Sequence, residues 1–211
     1  ASGIQGLDEL LDGGIPENFT VLLTGAIGTG KTIFGMQFLC SSKDHGIYLS
    51  FEEDLDQLRE TARMFNWDVA SREREKSLKM IKFDPFRLED VVDIVENSIR
   101  EINARRIVID SISALGIYMR ETSDIRRIII QLGDVMKKSK CTALLISEMP
   151  HSGAMSRFGV EEFVADGVIL LDKAIVNNEY KRLISIAKMR YTNHSEKIHA
   201  YSITKNGLSI K

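Results

Sequence analysis

The apolar positions of this 211-residue chain fall into two alternating patterns. Short, nearly unbroken apolar runs recur at Val21-Leu22-Leu23-Thr24, Ile47-Tyr48-Leu49-Ser50-Phe51, Leu78 to Phe83, Ile107-Val108-Ile109-Asp110, Thr142 to Glu148 and Asp166 to Leu171. Runs of that length without polar alternation predict strands buried on both faces of a parallel sheet. Between them, apolar residues repeat at helical spacing: Leu55, Leu58, Ala62 and Phe65; Val91, Val92, Val95, Ile99 and Ile102 within a helix over Glu89 to Asn103; Ile125, Ile128, Ile129, Leu132 and Val135 within Asp124 to Lys138. Asp54 stands where it caps the first of these helices. Asp84-Pro85 marks a turn after the third strand, and Ser71 to Ser77 reads as a solvated, charged link.

The last third changes character. Lys181 to Met189, Ile198 to Ile203 and Leu208 to Ile210 are strands, separated by the polar turn Val176 to Glu179 and the hairpin signal Lys205-Asn206-Gly207. At the other end, Asp8 to Asp12 predicts a short helix stopped by Gly13-Gly14. Two readings fit this N-terminal stretch: a cap on the sheet, or a contact with a neighbouring subunit. The predicted architecture is an α/β fold with a mostly parallel twisted sheet, helices on both faces and antiparallel strands at the C-terminal end. It divides into a cap over 1–18, a core over 19–172 and C-terminal strands over 173–211 of a single domain.

Gly25-Ala26-Ile27-Gly28-Thr29-Gly30-Lys31-Thr32 joins the first strand to the apolar segment beginning at Ile33. Strand, glycine loop and helix are the context that a G-x-x-x-x-G-K-[ST] phosphate loop needs. Its backbone N–H groups turn onto phosphate oxygens, and the helix that follows adds its positive dipole end. Lys31 is expected at the β- and γ-phosphates and the Thr32 hydroxyl on Mg²⁺. A chance match in a chain of this length is under roughly 1% on average composition, so the loop is taken as functional.

Asp110 ends a buried strand and is the expected metal-supporting carboxylate. Glu52 and Glu53 follow another strand at the edge where ligands bind in open α/β sheets. They fit a carboxylate that orients or deprotonates a water, and they also fit first-turn helix acids favoured by the dipole. Ser147 or Glu148 is a candidate sensor of the γ-phosphate, or a plain strand-end polar group. Lys188 and Arg190, two apart on a strand, share one face and can offer charge to a phosphoryl group; a solvated strand face is the plainer reading. Met149 to Gly159, with Pro150, His151, Arg157 and Phe158, reads as a mobile surface loop with one cation, thin for nucleic acid.

Composition narrows the partners. A formal net charge of −2 removes a global basic field for nucleic acid or membrane. No apolar run has membrane-spanning length, so a cytoplasmic protein is expected. Cys40 and Cys141 have no metal-type spacing and read as buried free thiols.

Taken together, Gly6-Leu7-Asp8, Gly13-Gly14-Ile15-Pro16, the loop Gly25 to Thr32, Glu52-Glu53, Asp110, Ala165-Asp166-Gly167 and the Lys188-Met189-Arg190…His194 pattern resemble a single KaiC-type ATPase domain of the RecA superfamily, near the RadA and RecA paralogs. The resemblance covers essentially the whole chain. It implies a RecA-like core, ATP with Mg²⁺, and a homo-oligomer, with a hexamer favoured, whose ATP lies between subunits. It implies that Glu52 activates water with Glu53 beside it, and that Lys188, Arg190 and His194 serve the nucleotide of the neighbouring protomer. Three departures stand out. The clock protein KaiC has two such domains. Glu162-Phe163 stand where its C-terminal copy carries phosphorylated Ser-Thr, so autokinase activity is not expected. Tyr191 stands where the family often has Gly. Three rivals remain: a DNA-associated RadA-paralog-type ATPase, an ATP-gated assembly module with little hydrolysis, and a P-loop kinase for a small substrate.

Overall fold

A computed structural model describes residues 1–84, 87, 90–119, 121–150 and 154–211. Among these, β1 (Thr20–Gly25), β2 (Gly46–Ser50), β3 (Leu78–Lys82), β4 (Arg106–Asp110), β5 (Thr142–Glu148), β6 (Gly167–Val176), β7 (Glu179–Met189), β8 (His199–Thr204) and β9 (Gly207–Ile210) form one sheet in the order β3-β2-β4-β5-β1-β6-β7-β8-β9. Strands β3 to β6 in that order pair in parallel; β7, β8 and β9 are antiparallel. The apolar runs have the expected cause. All six residues of β1 and the first six of β5 are buried, because helices cover both faces.

Side chains alternate between the two faces. Val21 and Leu23 of β1 join Leu144 and Ile146 of β5 in a core under α2 (Lys31–Cys40), while Leu22, Ala143 and Leu145 pack under α5 (Val91–Ile102) and α7 (Thr122–Lys138). Each fully buried Leu or Ile contributes about 1.5–3 kcal/mol relative to exposure. Helix α2 is buried nearly all round, from Phe34 to Leu39. The reason is the C-terminal sheet, which wraps over it: Gln37 accepts from the Leu208 N–H (2.7 Å) and donates to the Leu208 carbonyl (3.1 Å).

The N-terminal segment caps its own chain. Ile4, Leu7, Leu11 and Ile15 enter the α2 core around α1 (Leu7–Leu10), and Gln5 bridges to Ser209. Cys40 and Cys141 are free, and burial pushes their thiols up to about 11 and about 12, which makes them poor nucleophiles.

Several expectations are corrected. The stretch Ser71 to Ser77, expected as a charged link, is helical over its first four residues: they finish helix α4 (Val69–Arg74), which follows α3 (Leu55–Met64), and Glu73 pairs with Arg59 of α3 at 2.9 Å, while none of the seven is buried. Short helices α6 (Leu115–Tyr118) and α8 (Glu161–Val164) were not legible, being too short for a periodicity. Strands β6 and β7 run on to meet at a two-residue turn, Asn177-Asn178, with φ 53° and 62°. Both are left-handed, as tight hairpins need. The segment expected as a mobile loop is held in its latter part. Ser156 is fully buried and donates to the buried Glu161 carboxylate at 2.6 Å. Pro85, Glu89 and His151 lie outside the described residues.

Candidate functional site

The phosphate-loop segment leaves the C-terminal end of β1 and enters α2. Gly30 is the N-cap of α2 at φ 92°, a left-handed conformation that a side chain disfavours. Thr29 is buried and its hydroxyl donates to the Ala26 carbonyl at 2.8 Å, closing the loop on itself. The Lys31 ammonium curls back onto the Gly25 and Ala26 carbonyls (2.9 and 3.1 Å). Burial lowers its pKa, opposed by the charges of Glu148, Asp110 and Glu52.

At the foot of the loop, Thr32 Oγ1 donates to Asp110 Oδ2 at 2.8 Å and lies 3.5 Å from Glu53 Oε1. Asp110 also accepts from the Tyr48 hydroxyl at 2.5 Å. Burial raises the Asp110 carboxyl above its ordinary range, even though Tyr48, Thr32 and Lys31 favour its charge. Burial, then the Asp110 charge, raises Glu53 as well. Glu52 is exposed, and the Ser111 hydroxyl donates to its Oε1 at 3.0 Å. The turn carrying both acids is fixed by Ser50 donating to the Glu53 carbonyl (2.6 Å) and Lys82 to the Glu52 carbonyl (2.5 Å).

These groups enclose a cavity of about 140 Å³ lined by Lys31, Thr32, Glu52, Glu53, Asp110, Ser111 and Glu148. A second cavity of about 360 Å³ adjoins it, sharing Lys31, Thr32 and Glu53 and reaching Ile33, Thr61, Met64 and Phe65. The first is polar and suits phosphate and metal; the second is a partly apolar slot beside the helix start. Among the described residues no group of three or more His, Cys, Asp or Glu could hold a metal by itself. Thr32 and Asp110 instead offer two hard oxygens, the donor type of a cation that completes its shell with water and phosphate.

Of the two strand-tip candidates, Glu148 lines the cavity while Ser147 is turned away and buried, donating to Glu161 at 3.2 Å. Lys188 and Arg190 are not at their own chain's loop. Lys188 pairs with Val168 and Arg190 bonds Asp166, at the end of β6 that faces Thr20 and Val21. Gly25 lies at the other end of β1, about 13–17 Å away at roughly 3.3 Å per residue. Lys188 Nζ donates to the Ala165 carbonyl (2.5 Å), Arg190 pairs with Asp166 (3.0 Å), and Tyr191 takes φ 60° with its ring exposed. His194 contacts the Ser195 carbonyl at 3.2 Å.

Sequence reasoning missed Tyr48, Ser111, Met64 and Tyr201. Tyr48 sits inside an apolar run, where a tyrosine reads as core. The Tyr201 hydroxyl donates to the Thr29 carbonyl at 2.5 Å, from a strand that periodicity places nowhere near the loop.

Comparison with known proteins gives the family and the fold. A family model described as "ATPase: KaiC" matches residues 1–211. The UPF0273 protein of Pyrococcus furiosus is 37% identical over 230 residues, covering 99% of this chain and 92% of the relative. The circadian clock oscillator protein KaiC of a Picosynechococcus strain is 32% identical across 98% of this chain, which spans 43% of that longer protein. The crystal structure of a KaiC-like protein from Pyrococcus horikoshii superposes with a TM-score of 0.92 at 38% identity, covering 100% of this chain and 97% of the other. The RecA-like α/β sheet with antiparallel C-terminal strands is thus the fold found, and the chain belongs to the KaiC ATPase family.

Proposed function

We propose that this chain binds ATP with Mg²⁺ at Gly25 to Thr32 and hydrolyses it, at a site completed by a neighbouring copy. The observation that carries the reading is the contact of Thr32 with Asp110 at the foot of the loop. It sets a hydroxyl and a carboxylate side by side where the metal of a nucleoside triphosphate belongs. Mg²⁺ held there would neutralise charge on the β- and γ-phosphates.

The remaining chemistry falls to side chains. Lys31 exchanges its loop carbonyls for phosphate oxygens. Glu52, held by Ser111, orients a water and takes up its proton as the water oxygen attacks the γ-phosphorus. The bond from that phosphorus to the β–γ bridging oxygen breaks, and ADP and phosphate leave. The slot bordered by Ile33, Met64 and Phe65 receives the base. Lys188 and Arg190 are too far from their own loop to act in cis, which supports their service to an adjacent protomer's ATP. A nucleic-acid role is less favoured: Arg157 is paired with Glu148 at 3.2 Å.

The test is native mass by light scattering, with and without Mg²⁺ and a non-hydrolysable ATP analogue, alongside ATPase rate against protein concentration. A nucleotide-dependent multimer with specific activity rising steeply with concentration is expected. A nucleotide-bound monomer with concentration-independent turnover overturns the shared site.

A further inference from the structure

Strand β6 outruns β1. Its last residue paired with β1 is Leu171, opposite Gly25, and it continues for five residues along the flank of the loop. Ile169, Leu171 and Lys173 share a face by alternation; the first two are packed in the α2 core, so Lys173 extends that face beside the loop. Its ammonium stands 2.8 Å from the point a Cβ on Gly28 would occupy. Only the missing side chain of Gly28 leaves room for it.

Lys173 does not stand alone. It is directly opposite Arg182 on β7, and Arg182 is opposite Tyr201 on β8, the residue bonded to the loop at Thr29. Like charges opposite each other on one sheet face repel. Among the described residues neither cation has an ion-pair partner, and Arg182 Nε is buried without a hydrogen-bond acceptor. The Tyr180 ring lies 5.8 Å from Lys173 Nζ, which otherwise approaches Gly28. The charge of Lys173 is felt at Lys31, where it adds to burial in lowering that ammonium's pKa. An uncompensated pair of cations beside a phosphate loop matches a polyanion.

We propose that Lys173, with Arg182 behind it, is a second phosphate-binding cation supplied in cis, donating to the polyphosphate chain of the nucleotide held by the same subunit's loop. This rests on the nucleotide reading above. It adds a charge from the chain's own sheet to those expected from Lys31 and from the neighbouring copy.

The test is the dissociation constant of a non-hydrolysable ATP analogue, and of adenosine, in the presence of Mg²⁺. The proteins compared are wild type, Lys173→Met, Lys173→Arg, Lys31→Ala and Lys181→Met, an exposed lysine on β7 paired with Glu179. Lys173→Met should weaken the analogue about tenfold or more, the scale of a charge-assisted hydrogen bond, and leave adenosine unchanged. Lys173→Arg should restore most of the affinity, and Lys181→Met should match wild type. Unfolding midpoints without nucleotide show that the variants fold. If Lys173→Met binds like Lys181→Met while Lys31→Ala is crippled, the proposal is overturned and the nucleotide reading stands. If wild type fails to bind the analogue, both fall.

Discussion

The Tyr201 hydroxyl donates to the carbonyl of Thr29, 172 residues earlier in the chain. A strand of the antiparallel C-terminal sheet thereby holds the crown of the phosphate loop, whose N–H groups must point inward while its carbonyls point out. Tyr201→Phe removes one hydrogen bond and leaves a carbonyl without that donor. A loss of about 1 kcal/mol is expected, or about 2–4 °C in the unfolding midpoint for a chain of this size. Weaker binding of an ATP analogue should accompany it. An unchanged midpoint and affinity would show that the loop keeps its shape without β8.

At the foot of the loop, where the proposed Mg²⁺ would sit, Tyr48 buttresses Asp110, and Asp110 meets Thr32. Tyr48→Phe leaves the carboxylate in place but frees its orientation. Partners of this kind are worth about 10–100-fold in metal affinity. Titration of Mg²⁺ into the analogue complex should show the half-saturating concentration rising in that range, with adenosine binding unaltered.

Glu52 is the proposed water-orienting carboxylate, and it is exposed and held by Ser111 alone among described side chains. Glu52→Gln should lower hydrolysis by about 10²–10⁴ while retaining ATP binding. Single-turnover rates and binding are measured on the same preparation. Undiminished turnover would move the role elsewhere, and Glu53, 3.5 Å from Thr32, is better placed beside the proposed metal position than as its replacement.

Lys188 and Arg190 allow a mixing experiment. Lys31→Ala removes the loop lysine and Arg190→Ala the remote cation. An arginine acting in trans is worth about 10³–10⁵ in rate, so each variant alone should be nearly inactive. Mixed and allowed to exchange subunits, they should regain activity that neither has, because some interfaces join an intact loop to an intact arginine. Absence of recovery, with mixed oligomers demonstrated, would exclude action across the interface.

The buried acids predict a pH dependence of stability in the absence of divalent cation and nucleotide. Burial raises Asp110, and burial with the Asp110 charge raises Glu53. Unfolded carboxyls release their protons near about pH 4. Above that, the folded chain still holds protons that the unfolded chain has lost, so stability falls as pH rises through the folded-state values. Asp110→Asn should flatten the slope and leave the protein more stable at neutral pH. Urea midpoints across that range decide it; parallel slopes for both proteins would reject Asp110 as the source.

What the chain's own order determined was the loop, the strands and their burial. Gly25 to Thr32, the Asp110 strand end and the unbroken apolar runs depend on neighbours a few residues apart, and strand or helix period is written in those neighbours. Helix α4 is masked because three of its six residues are charged, β6 reads short because Asp172 and Lys173 open its outer half, and β7 loses only Glu179 and Tyr180, which stand next to the polar turn. What only the tertiary structure decided were the pairings across long separations: Tyr48 and Thr32 on Asp110, Ser111 on Glu52, Tyr201 on Thr29, and Lys173 beside Gly28. Each depends on the strand order, which sets β4 beside β2 and β6 beside β1. The same order carries Lys188 and Arg190 to the end of the sheet opposite their own loop. A hydroxyl or an ammonium carries no sequence signal of which carbonyl or carboxylate it will meet. That is settled when the sheet closes and burial leaves each polar group in need of a partner.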